Sequence, residues 1–380
     1  MRAAWLAGGV CNGWLVTVMS KQVRRQHTVS RFYLRGFATT KGRIVRISLP
    51  GPAAIAMSIG DATVVKDFYS VDLADGSTSD MFERYFANIE GSASTALEHI
   101  VSGGRPLSWQ AKRDFAAWVA LQHLRGEEQR ASQTHMNGEF IRLIVGTAGK
   151  EALRHHIERA TGQSLPDEDL EREWLDLTKP GGPDLEPDPN AHLRTLMELW
   201  PGFSAYLAES HWTVIRLKRP ALVTSDHPVT MAVGADYPKF YGVGIATADL
   251  FSLPITRSIG LNIQPRRRLL EYTENVDQVP DFDVKGTDEF ADSMNQQTVG
   301  QARRYVYRHP DDDISTRVRL PEPTERSRMD TRGIDGLIAE DGLFAGATGP
   351  LPKPLRASDE DEGVSLDDLP WPIPRRRSVG

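Results

Sequence analysis

Five short stretches of the chain hold the residues best suited to chemistry. In Gln26-His-Thr-Val-Ser-Arg-Phe-Tyr-Leu-Arg-Gly-Phe, a short helix capped by Ser30 puts Arg31 and Arg35 one turn apart, with His27 just before it. Two guanidinium groups beside a titratable imidazole suit an anion, though a surface arginine pair over an aromatic anchor explains them equally well. In Phe86-Ala-Asn-Ile-Glu, Glu90 is a candidate base or metal ligand. The simpler reading, an exposed or arginine-paired helix carboxylate, is favoured. Gln122 and Arg125 are neighbours at a helix end, with Arg130 following. Arg125 there could simply meet the negative end of the helix dipole.

The fourth stretch, Leu222-Val-Thr-Ser-Asp-His-Pro-Val, is an apolar strand that delivers Asp226 and His227 to a turn. Such a place suits a catalytic carboxylate, and it equally suits an aspartate that caps its own backbone. The fifth is Asn295, which a structural hydrogen bond explains more simply than ligand binding. Familiar motifs are missing. Gly146-Thr-Ala-Gly-Lys150 is too short for a phosphate-binding loop, and Glu151 follows where Ser or Thr is required. His155 and His156 occupy adjacent helix positions and diverge. Cys11 is the one cysteine, which excludes an intramolecular disulfide and thiolate-rich metal sites.

The elements that must position these residues fall into blocks. A helix over 79–102 shows one apolar stripe through Phe82, Phe86, Ile89, Ala93, Leu97 and Ile100, with Glu83 and Glu90 seven apart on a neighbouring face. Ser108 caps the next helix, which Gly126 stops. Helical patterns continue at 127–147, 149–161, 166–177 and 189–209, the last opened by Asp188-Pro189. Strand patterns precede this block at 42–50 and 62–66. They follow it at 211–217, 221–225, 251–255, 258–264 and 303–308, with a helix capped by Thr287 before the last. Short links favour antiparallel pairing. The expected fold is α+β, with a helical middle (79–209) packed on a mainly antiparallel sheet from 211–310 and short N-terminal strands.

The chain has 380 residues, 40% hydrophobic and 25% charged, which suits a globular body of 19–320. Lys+Arg 45 against Asp+Glu 51 gives a net charge of −6, which argues against a general nucleic-acid coat but not against a local basic patch. Residues 1–18 resemble a signal peptide only faintly. Met19 as the true start is the simpler reading, and no run is apolar enough for a membrane span. Residues 321–380, rich in Pro, Gly and charge, read as a mostly disordered tail. Together these place the protein in solution, in the cytoplasm.

The order of the stretches resembles the bacterial family known as domain of unknown function 4238. The likeness rests on Gln26-His-x-Val-x-Arg-Phe-Tyr-Leu-Arg-x-Phe-Ala, Val65-Lys-Asp-Phe-Tyr-Ser, Ile89-Glu-Gly, Gln122…Arg125…Arg130, Thr224-Ser-Asp-His-Pro-Val and the Asn295 helix, over about 26–310. Ser30 stands where the family commonly has Pro, and Arg125-Gly126-Glu127 where it commonly has Arg-Thr-Pro. The resemblance implies a shared fold and shared polar positions; it implies no reaction.

Three expectations follow. In the first, His27, Glu90 and Asp226 act in one cleft as acid, base or ligands of a divalent metal. Arg31, Arg35, Gln122, Arg125, Arg130, His227 and Asn295 then hold a phosphoester or nucleic-acid substrate. In the second, the same groups bind an anionic small molecule or RNA without turnover. In the third, the polar residues are caps and ion pairs that knit helices to sheet.

Overall fold

The computed structural model describes residues 24–312, except 52, 73–77, 105–106, 186–188, 220–221, 236, 238–242, 272 and 276–278, together with 318–320 and 338–342. The N-terminal part is β1 (Arg25–His27), α1 (Arg31–Leu34), a 3-10 turn (Arg35–Phe37), β2 (Arg43–Ser48), β3 (Ala54–Ser58), β4 (Val64–Lys66), β5 (Val71–Asp72) and β6 (Thr78–Ser79). The helical middle is α2 (Met81–Ser102), α3 (Trp109–Leu124), α4 (Glu127–Ala148), α5 (Lys150–Thr161), α6 (Asp167–Thr178) and α7 (Pro189–Glu209). The last part is β7 (His211–Arg216), β8 (Thr224–Ser225), β9 (Thr230–Ala232), β10 (Leu250–Thr256), β11 (Ile259–Gln264), α8 (Arg266–Leu269), β12 (Phe282–Lys285), α9 (Asp288–Gln301) and β13 (Tyr305–Arg308). The fold is α+β, and no described helix is long and apolar enough to cross a membrane.

The helices form where periodicity and caps put them. The stripe of α2 buries Phe86, Ala93, Ala96, Leu97 and Ile100. The helix stops at Gly103, whose left-handed φ of 79° lets its N–H meet the carbonyls of His99 and Ile100. Ser108 Oγ caps α3 by accepting from Ala111 N, and Thr287 Oγ1 caps α9 by accepting from Phe290 N. From Phe115 onward α3 is buried on nearly every side, because α2 and α7 flank it; it is the axis of the helical block. Helices α4, α5 and α6 enclose a small core of their own, built on Ile141, Val145, Leu153, Leu170 and Trp174.

The strands form two main sheets rather than one. A five-stranded sheet runs β12-β7-β11-β10-β9, antiparallel except for β12 along β7. A four-stranded sheet runs β3-β2-β13-β8, so β2 from the N-terminal part pairs with β13, the last strand among the described residues. The expected strand at 221–225 shrinks to two residues because Val223 gives its N–H to Asn295 Oδ1 instead of to a neighbouring strand. Strands β3 and β12 escaped the sequence pattern. Both lie at sheet edges, where burial does not enforce alternation, and all four residues of β12 are exposed.

Within the expected tail, Ile338–Gly342 lies against the α4–α5 junction. Ala339 N bonds to Gly146 O at 3.0 Å and Lys150 N to Glu340 O at 2.6 Å. Apart from 338–342, the expected tail lies outside the described residues, as do the signal-like segment and Asp188.

Tyr33 ties α1 to both sheets. Its fully buried hydroxyl lies 2.6 Å from Thr224 Oγ1 on β8 and donates to Pro254 O on β10 at 2.6 Å. Tyr33→Phe leaves the β10 carbonyl without a donor in the core. We expect it to lower stability by about 1–3 kcal/mol in urea denaturation, with the slope unchanged.

Candidate functional site

Ser30 occupies the N-cap position of α1 with extended backbone, but its hydroxyl caps nothing. It is drawn away instead. Ser30 Oγ donates to Glu90 Oε1 at 2.8 Å and accepts from Trp118 Nε1 at 2.7 Å and Arg125 Nη2 at 2.6 Å. Arg125 also donates from Nη1 to Glu90 Oε1 at 2.8 Å and from Nη2 to Gln122 Oε1 at 3.0 Å. Gln122 Nε2 in turn donates to Thr28 O at 2.8 Å. Three segments far apart in the chain are thereby locked together: the turn before α1, the middle of α2 and the end of α3.

The centre is unusual in its burial. The Arg125 side chain is 1% exposed, and a bare guanidinium there would be prohibitively costly. Burial works against its charge, but Glu90 foremost, with Tyr69 and Glu83, outweighs that and holds its pKa above the ordinary value. Arg125 Nε alone lacks a partner. The Arg125 carbonyl accepts from Tyr69 Oη at 3.2 Å. Arg130, one turn into α4, donates to Phe68 O and lies 3.6 Å over the Phe68 ring. The two arginines thus grip Phe68–Tyr69 from either side of the Gly126 turn.

The network has an open side at Glu90. Both hydrogen bonds to Glu90 fall on Oε1. Its Oε2 has no hydrogen-bond partner among the described residues, and the side chain is 27% exposed. Glu83, two turns earlier on α2, is pushed up to about 7 by burial; Arg125 opposes the shift, while Glu90 and Asp80 add to it. Thr63 Oγ1 donates to Val29 O, so the contact of 3.3 Å from His27 Nδ1 to Thr63 Oγ1 assigns the ring proton to Nδ1 and leaves a lone pair on Nε2. Burial, then Arg31, pushes His27 down to about 4, with Glu90 opposing. The rim thus presents a neutral imidazole near neutral pH, a Glu83 carboxyl raised by burial and the arginine-held Glu90 side chain. The sequence placed Glu83 and Glu90 on one face; the burial that raises Glu83 needed the tertiary surroundings.

The remaining residues separate. Arg31 and Arg35 are exposed and make no ion pair with a described residue; Arg31 lies close enough to His27 to influence its charge. Asp226 does not join the Glu90 network. Its oxygens accept from the backbone N–H groups of Arg303 and Arg304 at 2.7 Å and of Tyr305 at 3.1 Å, which starts β13. Burial raises Asp226 to about 6 against those bonds. The His227 ring is buried 5.1 Å from that of His123, and Asn295 Oδ1 holds Val223 N at 3.0 Å. Among the described residues no three His, Cys, Asp or Glu side chains are arranged to hold a metal ion.

Two expectations follow from this geometry. Arg125→Met leaves Ser30, Gln122 and a partly buried Glu90 without their donor, so stability should fall by about 3–5 kcal/mol in chemical denaturation. Arg125→Lys should recover only part of that, since an ammonium cannot span the same fork. The second concerns acid. His27 and His192 at about 4 and His123 at about 3 are neutral in the fold. Their contribution is complete above the unfolded value of about 6.5 and is lost as pH falls toward 4 and below. Glu83 and Asp226, both raised, act in the opposite sense: their contribution is present at low pH and is lost as pH rises through about 7 and about 6. Three groups against two leave a net uptake of about one proton on unfolding between pH 5 and 6. The urea midpoint should therefore drop on going from pH 6 to pH 5.

The family described as protein of unknown function (DUF4238) matches residues 25–312, from β1 to just past β13, and the chain belongs to it. No curated protein and no solved structure matches.

Proposed function

We propose that this member of the family is an acid–base hydrolase that acts on phosphoester or nucleic-acid substrates, with Glu90 as general base and Glu83 as general acid. The observation that carries the reading is the asymmetry of Glu90. One oxygen is immobilised by Arg125 and Ser30, and the other, at a partly exposed surface, has no hydrogen-bond partner among the described residues. A base must be fixed in orientation and open to the proton that it takes. Glu83 supplies the complementary group, a carboxyl able to carry a proton near neutral pH.

In the reaction so drawn, Glu90 Oε2 takes a proton from water as its oxygen bonds to phosphorus. The ester P–O bond breaks, and Glu83 gives its proton to the departing oxygen. His27 offers a neutral acceptor at the same rim. Arg125 is buried and its Nη1 and Nη2 groups are taken by protein acceptors, so the exposed Arg31 and Arg35 are the cations left to meet the substrate's charge. The same exposed pair supports a second reading, an anion-binding module without turnover.

The test is hydrolysis of p-nitrophenyl phosphate and of a short RNA, with and without added divalent metal. The expected rate falls as pH rises through about 7, where Glu83 loses its proton. Glu90→Gln and Glu83→Gln should each lower kcat by about 100-fold or more. Glu83→Gln replaces a protonated carboxyl by a neutral isostere and should keep the fold. Wild-type protein inert on both substrates, or a Glu83→Gln variant with undiminished kcat, would sink the reading.

A further inference from the structure

An open groove of about 480 Å³ runs between the first turn of α2 and the N-terminal half of α7, within the size range of small-molecule sites. Its lining sorts by helix geometry. Leu193 and Met197, four apart on α7, form an apolar floor opposite the Phe82 ring. Asn190, Arg194 and Glu198 repeat the same spacing on the adjoining face and form a polar rim. Arg194 and Glu198 are both exposed, and neither pairs with the other or with any described residue. Arginine ahead of glutamate is the weaker order for such a pair on a helix, which leaves the guanidinium available.

The groove is continuous with the Glu90 network through aromatic packing. The Phe82 ring lies 6.1 Å from that of Phe86, which lies 5.2 Å from that of Tyr69, and Tyr69 bonds to the Arg125 carbonyl. Phe82 also directly precedes Glu83.

We infer that this groove binds an aromatic organic anion, with the ring against Phe82, Leu193 and Met197 and the anionic group on Arg194. The assignment rests on the hydrolase reading for which end of the ligand would react, and not for whether the ligand binds. An aromatic ring gains from leaving water for the apolar floor, and Arg194 offers its anionic group a cation on a rim that also carries Glu198.

Calorimetry with benzylphosphonate, which has no ester bond to hydrolyse, tests the groove by itself. We expect methylphosphonate, which lacks the ring, to bind about tenfold more weakly, and likewise benzyl alcohol, which lacks the charge. Arg194→Ala and Met197→Glu should each weaken benzylphosphonate by about tenfold, with the circular dichroism spectrum unchanged. If the wild-type protein fails to bind benzylphosphonate at about 10 mM, or binds it indifferently to both substitutions, the groove assignment falls. Binding that needs Arg194 and Met197, in a protein inert toward both p-nitrophenyl phosphate and the short RNA, upholds the groove and overturns the hydrolase reading. Turnover with a KM that neither substitution changes does the reverse.

Discussion

A guanidinium removed from water must find its hydrogen-bond partners inside the protein, and much of the architecture around Arg125 answers that demand. Desolvating a cation costs several kcal/mol, so its surroundings have to supply both a counter-charge and oriented acceptors. Glu90 supplies the charge; Ser30 and Gln122 supply the acceptors. Each comes from a different segment, so the arginine can be satisfied only when the turn before α1, α2 and α3 have all docked. Trp118, which shares Ser30, extends the network into aromatic packing against Phe32 and Tyr33. Tyr33 carries the connection on to both sheets.

The same arrangement bears on chemistry. A buried arginine committed to protein groups serves poorly as a substrate clamp, but it is an effective anchor for a carboxylate. By taking one oxygen of Glu90 it fixes the direction of the other. Burial raises the neighbouring Glu83 carboxyl, and Glu90 adds to that shift. Two carboxyl groups on one helix face thus meet different surroundings, one held by Arg125 and one raised by burial.

Elsewhere, polar residues that look catalytic in the chain satisfy backbone. Asp226 gathers three N–H groups where β13 begins, and Asn295 holds Val223 N at the edge of β8. Both lie where a strand starts or breaks off, the places where a sheet leaves donors unpaired. A buried donor without a partner costs about 1–3 kcal/mol, so side chains at these junctions serve the fold without touching any ligand. Glu127 and Glu128 reinforce the same junction by pairing with Arg304 and Arg303.

Local physics was legible in the sequence, and so was the class of fold. The apolar stripe of α2, the caps at Ser108 and Thr287 and the alternation of β7, β10 and β11 depend on neighbours within a few residues, so composition and spacing determine them. Membership of the same set of polar positions was also visible, as was the arginine-paired reading of Glu90. What the sequence could not decide was which of those positions meet. Ser30 reads as a cap until Arg125, 95 residues away, competes for its hydroxyl. Asp226 reads as a companion of His27 until β13 claims its oxygens. The division into two sheets, the state of Glu83 and the neutrality of His27 follow the same rule. Each is set by burial and charge brought from distant segments, and those energies exist only once the chain has closed on itself.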